Sequence, residues 1–254
     1  MKISIITVSY NSYNVILNCL ESVNTQENVD VEHIVIDGAS TDGTLPLLES
    51  KREQLEYLIS EPDKGIYYAM NKGIELATGD IIGFLNTDDF YASSDILKKV
   101  STLFNNNPDL DACYADLIYV NQTDTSKNIR YWKSSKFKPG LFSRGWSPPH
   151  PTFFARNSVY KRFGSFDLTY RIASDTELMM RFLEINKIKV RYIPQLWVKM
   201  RMGGTTNKSL KNILLQNGEV LSALNYHNLP VNYVSFFICK IISRGLQFLK
   251  RYKK

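Results

Sequence analysis

The stretch Ile81 to Asp89, I-I-G-F-L-N-T-D-D, constrains the fold of this chain more than any other. An apolar run bounded by Gly79-Asp80 and a polar cluster is the signature of a strand buried on both faces, as in the middle of an α/β sheet. Two adjacent carboxylates at the end of such a strand repel each other and cost desolvation energy unless a cation sits between them and a partner. A hard divalent ion meets that need, because Mg2+ or Mn2+ takes one or two carboxylates and completes its shell with phosphate oxygens. Asp88 and Asp89 therefore predict a nucleoside diphosphate as much as a metal. The alternative is that they cap the following turn or helix.

The 254 residues, 44% hydrophobic and 22% charged, fit one α/β domain with an appendage better than two independent domains. Three widely spaced cysteines, Cys19, Cys113 and Cys239, suggest neither a disulfide framework nor a zinc site. The N-terminus runs directly into an apolar strand without the features of a secretory signal, which predicts a cytoplasmic protein. The net charge of +6 resides in the tail: Lys240, Arg244, Lys250, Arg251, Lys253 and Lys254 follow Val220 with no acid among them. A second acid-free stretch runs from Thr125 to Phe166 and carries nine basic residues, among them Arg130. Both read either as solvated basic faces or as surfaces for anionic lipid or a diphosphate-bearing acceptor, rather than for nucleic acid.

The pattern opens with a β-branched strand, Lys2 to Val8, a polar turn at Ser9 to Ser12, and a helix burying Ile16, Cys19, Leu20 and Val23. A second strand, Val31 to Ile36, ends in Asp37-Gly38-Ala39-Ser40, and a third, Leu55 to Ile59, leads to Glu61-Pro62-Asp63-Lys64-Gly65. Ligands of open α/β sheets gather at the carboxyl ends of strands, so Asp37 falls where a base or ribose would be held. A helix from about Ile66 to Ala77 carries Asn71 and Lys72, either on a solvated face or as donors aimed at phosphate. After the carboxylates come a helix around Ile96 to Phe104, a strand at Ala112 to Val120, a hairpin into Ile129 to Trp132, and a mixed second half of the sheet.

Ser134 to Pro151 shows no periodicity and is broken by Pro139, Gly140, Gly145, Pro148 and Pro149. Its Trp146 would either stack on a sugar ring or pin the loop to the core, and His150 beside prolines reads first as a structural residue. Ser174 and Asp175 open a helix from about Thr176 to Asn186, where caps are expected. Two short strands, Val190 to Ile193 and Leu196 to Met202, precede Gly203-Gly204, a candidate lid hinge. Ser209 caps a helix through roughly Leu224.

The order and spacing of T-V-S-Y-N, D-G-A-S-T-D-G-T, E-P-D-K-G-I-Y-Y-A-M-N-K-G and G-F-L-N-T-D-D, covering Thr7 to Asp89, resemble the family 2 glycosyltransferases of GT-A fold. The likeness is to bacterial members that build capsular, colanic-acid-like and O-antigen polysaccharides. The resemblance implies a Rossmann-like mixed central sheet flanked by helices, in a domain of residues 1–205 with a basic, amphipathic helical extension over 206–254. It implies a nucleotide-sugar donor, its base near Thr7, Ser9, Asn11 and Asp37 and its diphosphate near Lys64 and Asn71. Asp88 would lie toward the ribose and Asp89 on the metal; Asn86 or Thr87 stands at the family's other acidic position, which leaves the metal ligand to be assigned between the two carboxylates.

The resemblance also makes Asp175 the general base, with Ser174 where a second acid commonly stands, and places a His-containing segment, here with Trp146 and His150, at the acceptor mouth. A metal-dependent, inverting hexosyl transfer to a glycan or lipid-linked hydroxyl follows. The alternative is a catalytically silent nucleotide-sugar-binding protein acting as a partner subunit. A dinucleotide-dependent dehydrogenase lacks its Gly-x-Gly-x-x-Gly turn after the first strand. The tail from Asn232 is too short and too charged to span a bilayer. It is expected either to lie peripherally on the anionic inner face of the plasma membrane or to dock on the domain or on a second subunit of a homodimer.

Overall fold

The computed structural model describes residues 1–203 and 209–249. The first half alternates strands and helices as their periodicities require: β1 (Lys2–Ser9), α1 (Ile16–Asn24), β2 (Asp30–Asp37), α2 (Thr44–Glu49), β3 (Tyr57–Ser60), α3 (Ile66–Leu76) and β4 (Ile81–Phe84). The second half comprises β5 (Asp89–Tyr91), α4 (Ile96–Asn105), β6 (Ala112–Val120), β7 (Asn128–Trp132), β8 (Phe154–Arg156), α5 (Asn157–Phe163), α6 (Ser174–Met180), β9 (Val190–Arg201), α7 (Leu210–Tyr226) and α8 (Tyr233–Leu249).

The strands form one mixed sheet in the order β3-β2-β1-β4-β8-β6-β9-β5, with β7 also pairing to β6. The β3-β2-β1-β4 part is parallel. On one edge of β6, β8 pairs with its first residues and β7 with its last. Every residue of β6 is buried, and so is all of β4, as their unbroken apolar runs require. On one side of the sheet Ile3, Ile5 and Cys113 pack against α4 through Ile96, Leu97, Val100 and Phe104. On the other, Ile6, Val8 and Phe84 share a core with residues of α3, α5, α6, α7 and α8.

Three features differ from the expectations. Residues 190–201 form one strand rather than two, because β9 stays beside β6 through a register shift that takes up Pro194, which has no N–H to offer a ladder. Asp89 begins strand β5 instead of capping a turn or helix. The Gly-rich turn after β2 also contains a short helix, α2. Gly203, with φ +115°, is the last residue described before residues 204–208; the remainder of the expected hinge lies outside the described residues, as does the basic cluster at 250–254.

Candidate active site

Parallel pairing sets Ser9 opposite Asp37 at the carboxyl edge of the sheet, so the loops leaving β1 and β2 start side by side. Hydrogen bonds then knit them together. Asn11 N–H donates to Ser40 Oγ (2.8 Å) and Asn11 Oδ1 accepts from Thr41 N–H (2.9 Å), with Asn11 at φ +48°. Ser12 N–H donates to Thr44 Oγ1 (2.8 Å) and Tyr13 N–H to Asp42 Oδ2 (3.1 Å). Asp37 is fully buried and accepts from Ser40 N–H (2.9 Å), Ser40 Oγ and Ser60 Oγ (2.7 Å). The Ser9 hydroxyl is buried with no partner. Thr7 lies deeper: its hydroxyl meets His33 Nε2 (2.9 Å), and burial holds that imidazole neutral by lowering its pKa to about 4. Any approach of a base to Thr7 therefore goes through the backbone.

Next to these loops stands the carboxylate pair. Thr87 Oγ1 donates to Ser12 Oγ (2.9 Å), tying the end of β4 to the first loop. Asp89 is fully buried. One of its oxygens receives only a long contact from Asn86 Nδ2 (3.5 Å), and the other has no partner. Burial first, and the charge of Asp88 second, push its pKa well above the usual carboxylate range; Asn86 and Arg201 oppose the shift. Arg201, buried on β9, donates to the backbone oxygen of Asp88 (3.0 Å) and lies over the Phe90 ring. A buried carboxylate oxygen without a partner fits a hard divalent cation. Among the described residues no cluster of three or more ligating side chains exists, so phosphate oxygens and water would fill the rest of its shell.

Asp175 stands one residue into α6, partly exposed, accepting from Thr176 N–H (2.7 Å) and more loosely from the Tyr67 hydroxyl (3.3 Å). Tyr67 is anchored through the Ile172 carbonyl (2.8 Å). Ser174 is turned inward onto the Asp167 carbonyl (2.8 Å). His150 packs between Phe84 and Phe166, with Nε2 buried and unpartnered. Burial lowers its pKa, against the pull of nearby Asp175.

The loop before α6 is gripped by a residue that sequence reasoning missed. Glu219 of α7 accepts from the backbone N–H groups of Arg171 (3.0 Å), Ile172 (2.8 Å) and Ala173 (2.9 Å). Arg201 and Tyr67 were also missed. No local signal marks any of them, since each acquires its partner only through the fold.

The other expected residues are placed less directly. Lys64 is exposed in the turn between β3 and α3. Asn71 bridges both backbone groups of Phe166, donating to its carbonyl and accepting from its N–H (2.9 Å each), so α3 carries it as a brace. Neighbouring Lys72 is paired with Glu61 and Asp63 rather than solvated. Trp146 is half-buried against Tyr114, Phe137 and Phe142, which pins its loop to the core.

A sheet edge carrying paired loops, a carboxylate pair of which Asp89 is buried, and a carboxylate at a helix start is the layout of a nucleotide-sugar-dependent transferase. Residues 4–165 match the model of Glycosyl transferase family 2, and the chain belongs to that family. A "PGL/p-HBAD biosynthesis glycosyltransferase" of Mycobacterium bovis is 32% identical over 193 residues, 75% of this chain and 73% of that protein.

Two solved structures share the fold. Staphylococcus aureus TarS residues 1–349, in complex with UDP-GlcNAc, superposes with a TM-score of 0.68 at 18% identity, covering 94% of this chain and 70% of that one. Against a longer crystal structure of TarS, this chain spans only 40% of its length. The mannosyltransferase PcManGT of Pyrobaculum calidifontis, in complex with GDP-Man and Mn2+, gives 0.65 at 15% identity, over 99% and 76% of the two chains. The fold is thus the GT-A type, and the chain is a glycosyltransferase. Asp175 and everything after it lie beyond the residues the family model matches.

Proposed function

We propose that the protein is an inverting, metal-dependent hexosyltransferase that moves a sugar from a nucleoside diphosphate to a hydroxyl of a glycan or lipid-linked acceptor in surface polysaccharide assembly. The observation that carries this reading is the partnerless, buried carboxylate oxygen of Asp89 beside the knitted loops at Ser9 and Asp37. In this reading residues 1–205 hold the donor and 206–254 complete the site.

The loops at Ser9, Asn11 and Asp37 seat the base and ribose, with Lys64 free to swing toward the diphosphate. Asp89, with Asp88, holds Mn2+ or Mg2+, which when bound neutralises charge on the departing diphosphate. Asp175 takes the proton of the acceptor hydroxyl as its oxygen attacks the anomeric carbon from the face opposite the leaving group, so one displacement inverts the configuration. Tyr67 and Glu219 keep that carboxylate aimed, and His150 and Trp146 border the acceptor.

The test is thermal stability against a panel of nucleoside diphosphates with and without manganese, starting from UDP and GDP, for the wild type and Asp89→Asn. Metal-dependent stabilisation by one nucleotide, absent in the variant, is the expected result. With the matching nucleotide sugar, Asp175→Asn lowers kcat by about 10²- to 10⁴-fold while nucleotide binding is kept, and NMR of the product gives the inverted anomer. Binding without turnover by the wild type points instead to a silent binding subunit.

The exposed face of α8 supports a place of action at a membrane surface. No described helix is long and apolar enough to cross a membrane. Yet Val234, Phe237, Ile238, Ile241, Ile242 and Phe248 are all exposed, at spacings that put them on one helical face, and the sequence continues into Lys250, Arg251, Lys253 and Lys254. That combination fits the interface of an anionic bilayer on the cytoplasmic side. Flotation with vesicles containing phosphatidylglycerol, but not with phosphatidylcholine alone, is expected. A stable dimer by light scattering with no vesicle binding would seat a second copy there instead.

A further inference from the structure

The two acid-free stretches of the sequence meet in space. Arg130 comes from β7, in the first, and Lys240 and Arg244 come from α8, in the second. Helix α8 is held in place by the fully buried Phe236 and by close approach to Gly145, where an added Cβ would come within 3.0 Å of Lys240 Cβ. Arg130 is only 9% exposed; its guanidinium lies 3.9 Å over the Tyr119 ring and 5.6 Å from that of Phe248, and its Nε has no hydrogen-bond partner. Lys240 donates to Asn217 Oδ1 (2.7 Å), a neutral acceptor.

None of the three cations joins an ion pair among the described residues. Residues 204–208 and 250–254 contain no acid that could supply one. Burial and neighbouring Arg244 bring Lys240 down to about 8, with Asp175 opposing; burial and Arg130 lower Arg244. Three half-buried or buried cations left without counter-charge are costly unless an anion completes them. Asp175 lies near enough to Lys240 to act on its charge, so the Lys240 end of the group faces the candidate site. The exposed apolar face of α8 adjoins the group, since its Phe248 lies by the Arg130 guanidinium.

The geometry points to Arg130, Lys240 and Arg244 as a pocket for the phosphate or diphosphate of an acceptor carried on a membrane lipid. This deepens the proposed function and rests on it for the word acceptor. Planar guanidiniums and a lysine suit phosphate oxygens, and a lipid chain would leave the pocket along the exposed face of α8.

The probe is farnesyl diphosphate, an apolar chain with a diphosphate head, titrated into the full chain by calorimetry beside farnesol and beside the nucleoside diphosphate with manganese. Wild type is expected to bind farnesyl diphosphate at least about tenfold more tightly than farnesol. Lys240→Gln with Arg244→Gln is expected to lose about tenfold for farnesyl diphosphate while its nucleotide affinity stays within about twofold, and Arg130→Gln, from the other element, to lose similarly. The charge-keeping pair Lys240→Arg with Arg244→Lys retains binding, which separates lost charge from lost fold. Equal binding of farnesol and farnesyl diphosphate overturns the pocket. Loss of nucleotide affinity with farnesyl diphosphate binding unchanged overturns the acceptor assignment and gives the pocket to the donor. Farnesyl diphosphate binding that survives in Asp89→Asn, whose nucleotide binding is gone, supports the pocket independently of the donor site.

Discussion

At the scale of single residues, Asp89 carries opposing demands. A carboxylate whose folded pKa is raised favours the folded state only while protonated; that contribution is present below the unfolded value of 3.8 and is lost as pH rises. In metal-free protein at pH 7, Asp89→Asn should therefore raise stability, by about 1–3 kcal/mol, with the gain vanishing near pH 3. Chemical denaturation in a chelator across that range measures it. On the proposed function the same substitution should remove stabilisation by nucleotide and metal, so one change separates folding from binding.

Glu32 is the reverse case. Burial alone would raise its pKa, but bonds from Lys2, Ser4 and Thr78 outweigh it and lower the value to about 2. Its contribution, about 3 kcal/mol, is present above pH 4.5 and lost as pH falls toward 2. Glu32→Gln should flatten that part of the acid-unfolding profile.

At the scale of elements, helix α3 sits unusually close to β1. A Cβ on Gly73 would lie 2.4 Å from Ile6 Cγ2, in the middle of the sheet. Gly73→Ala should cost about 1–3 kcal/mol, read as a lower denaturation midpoint, and shift Tyr67 with the helix that carries it. Glu219 links α7 to α6 in a comparable way. Glu219→Ala leaves three backbone N–H groups without their acceptor and should cost about 2 kcal/mol, with kcat falling more than KM changes because Asp175 loses its aim.

Apart from the short α2, the alternation of elements up to β4 was readable from the sequence because each strand and helix there carries its own period and its own turn. Residues 112–120 were likewise legible as one unbroken apolar run. Strand β5 was not, since three residues hold no pattern and its pairing with β9 is purely tertiary. The continuity of β9 was hidden by Pro194, which reads locally as a break. Asp89 and Asp175 stood out as acids at the ends of elements, but Glu219, in mid-helix, looked like any solvated glutamate. The bracing of Phe166 by Asn71 could not be read either, because nothing in the sequence says which loop a helix will meet.

At the scale of the whole molecule, the helices after residue 209 belong to the same core as the sheet, since Val220, Ala223, Leu224 and Phe236 pack in one cluster with Phe84 and Met179. Phe236→Ala should therefore destabilise the entire domain by about 3–5 kcal/mol in a single cooperative transition, visible by calorimetry, rather than release α8 alone.

The sheet also sets an order of events during synthesis. The loops after β1 and β2 can be assembled from the first 60 residues, whose contacts are local in sequence. Strand β5 is different: α1 packs against it early, but its only strand partner is β9, where Asp89 faces Met200, so its ladder forms only after more than a hundred further residues have left the ribosome. A nascent chain thus builds the loops after β1 and β2 early and pairs β5 last, and stays incomplete as a glycosyltransferase until nearly the whole sheet exists.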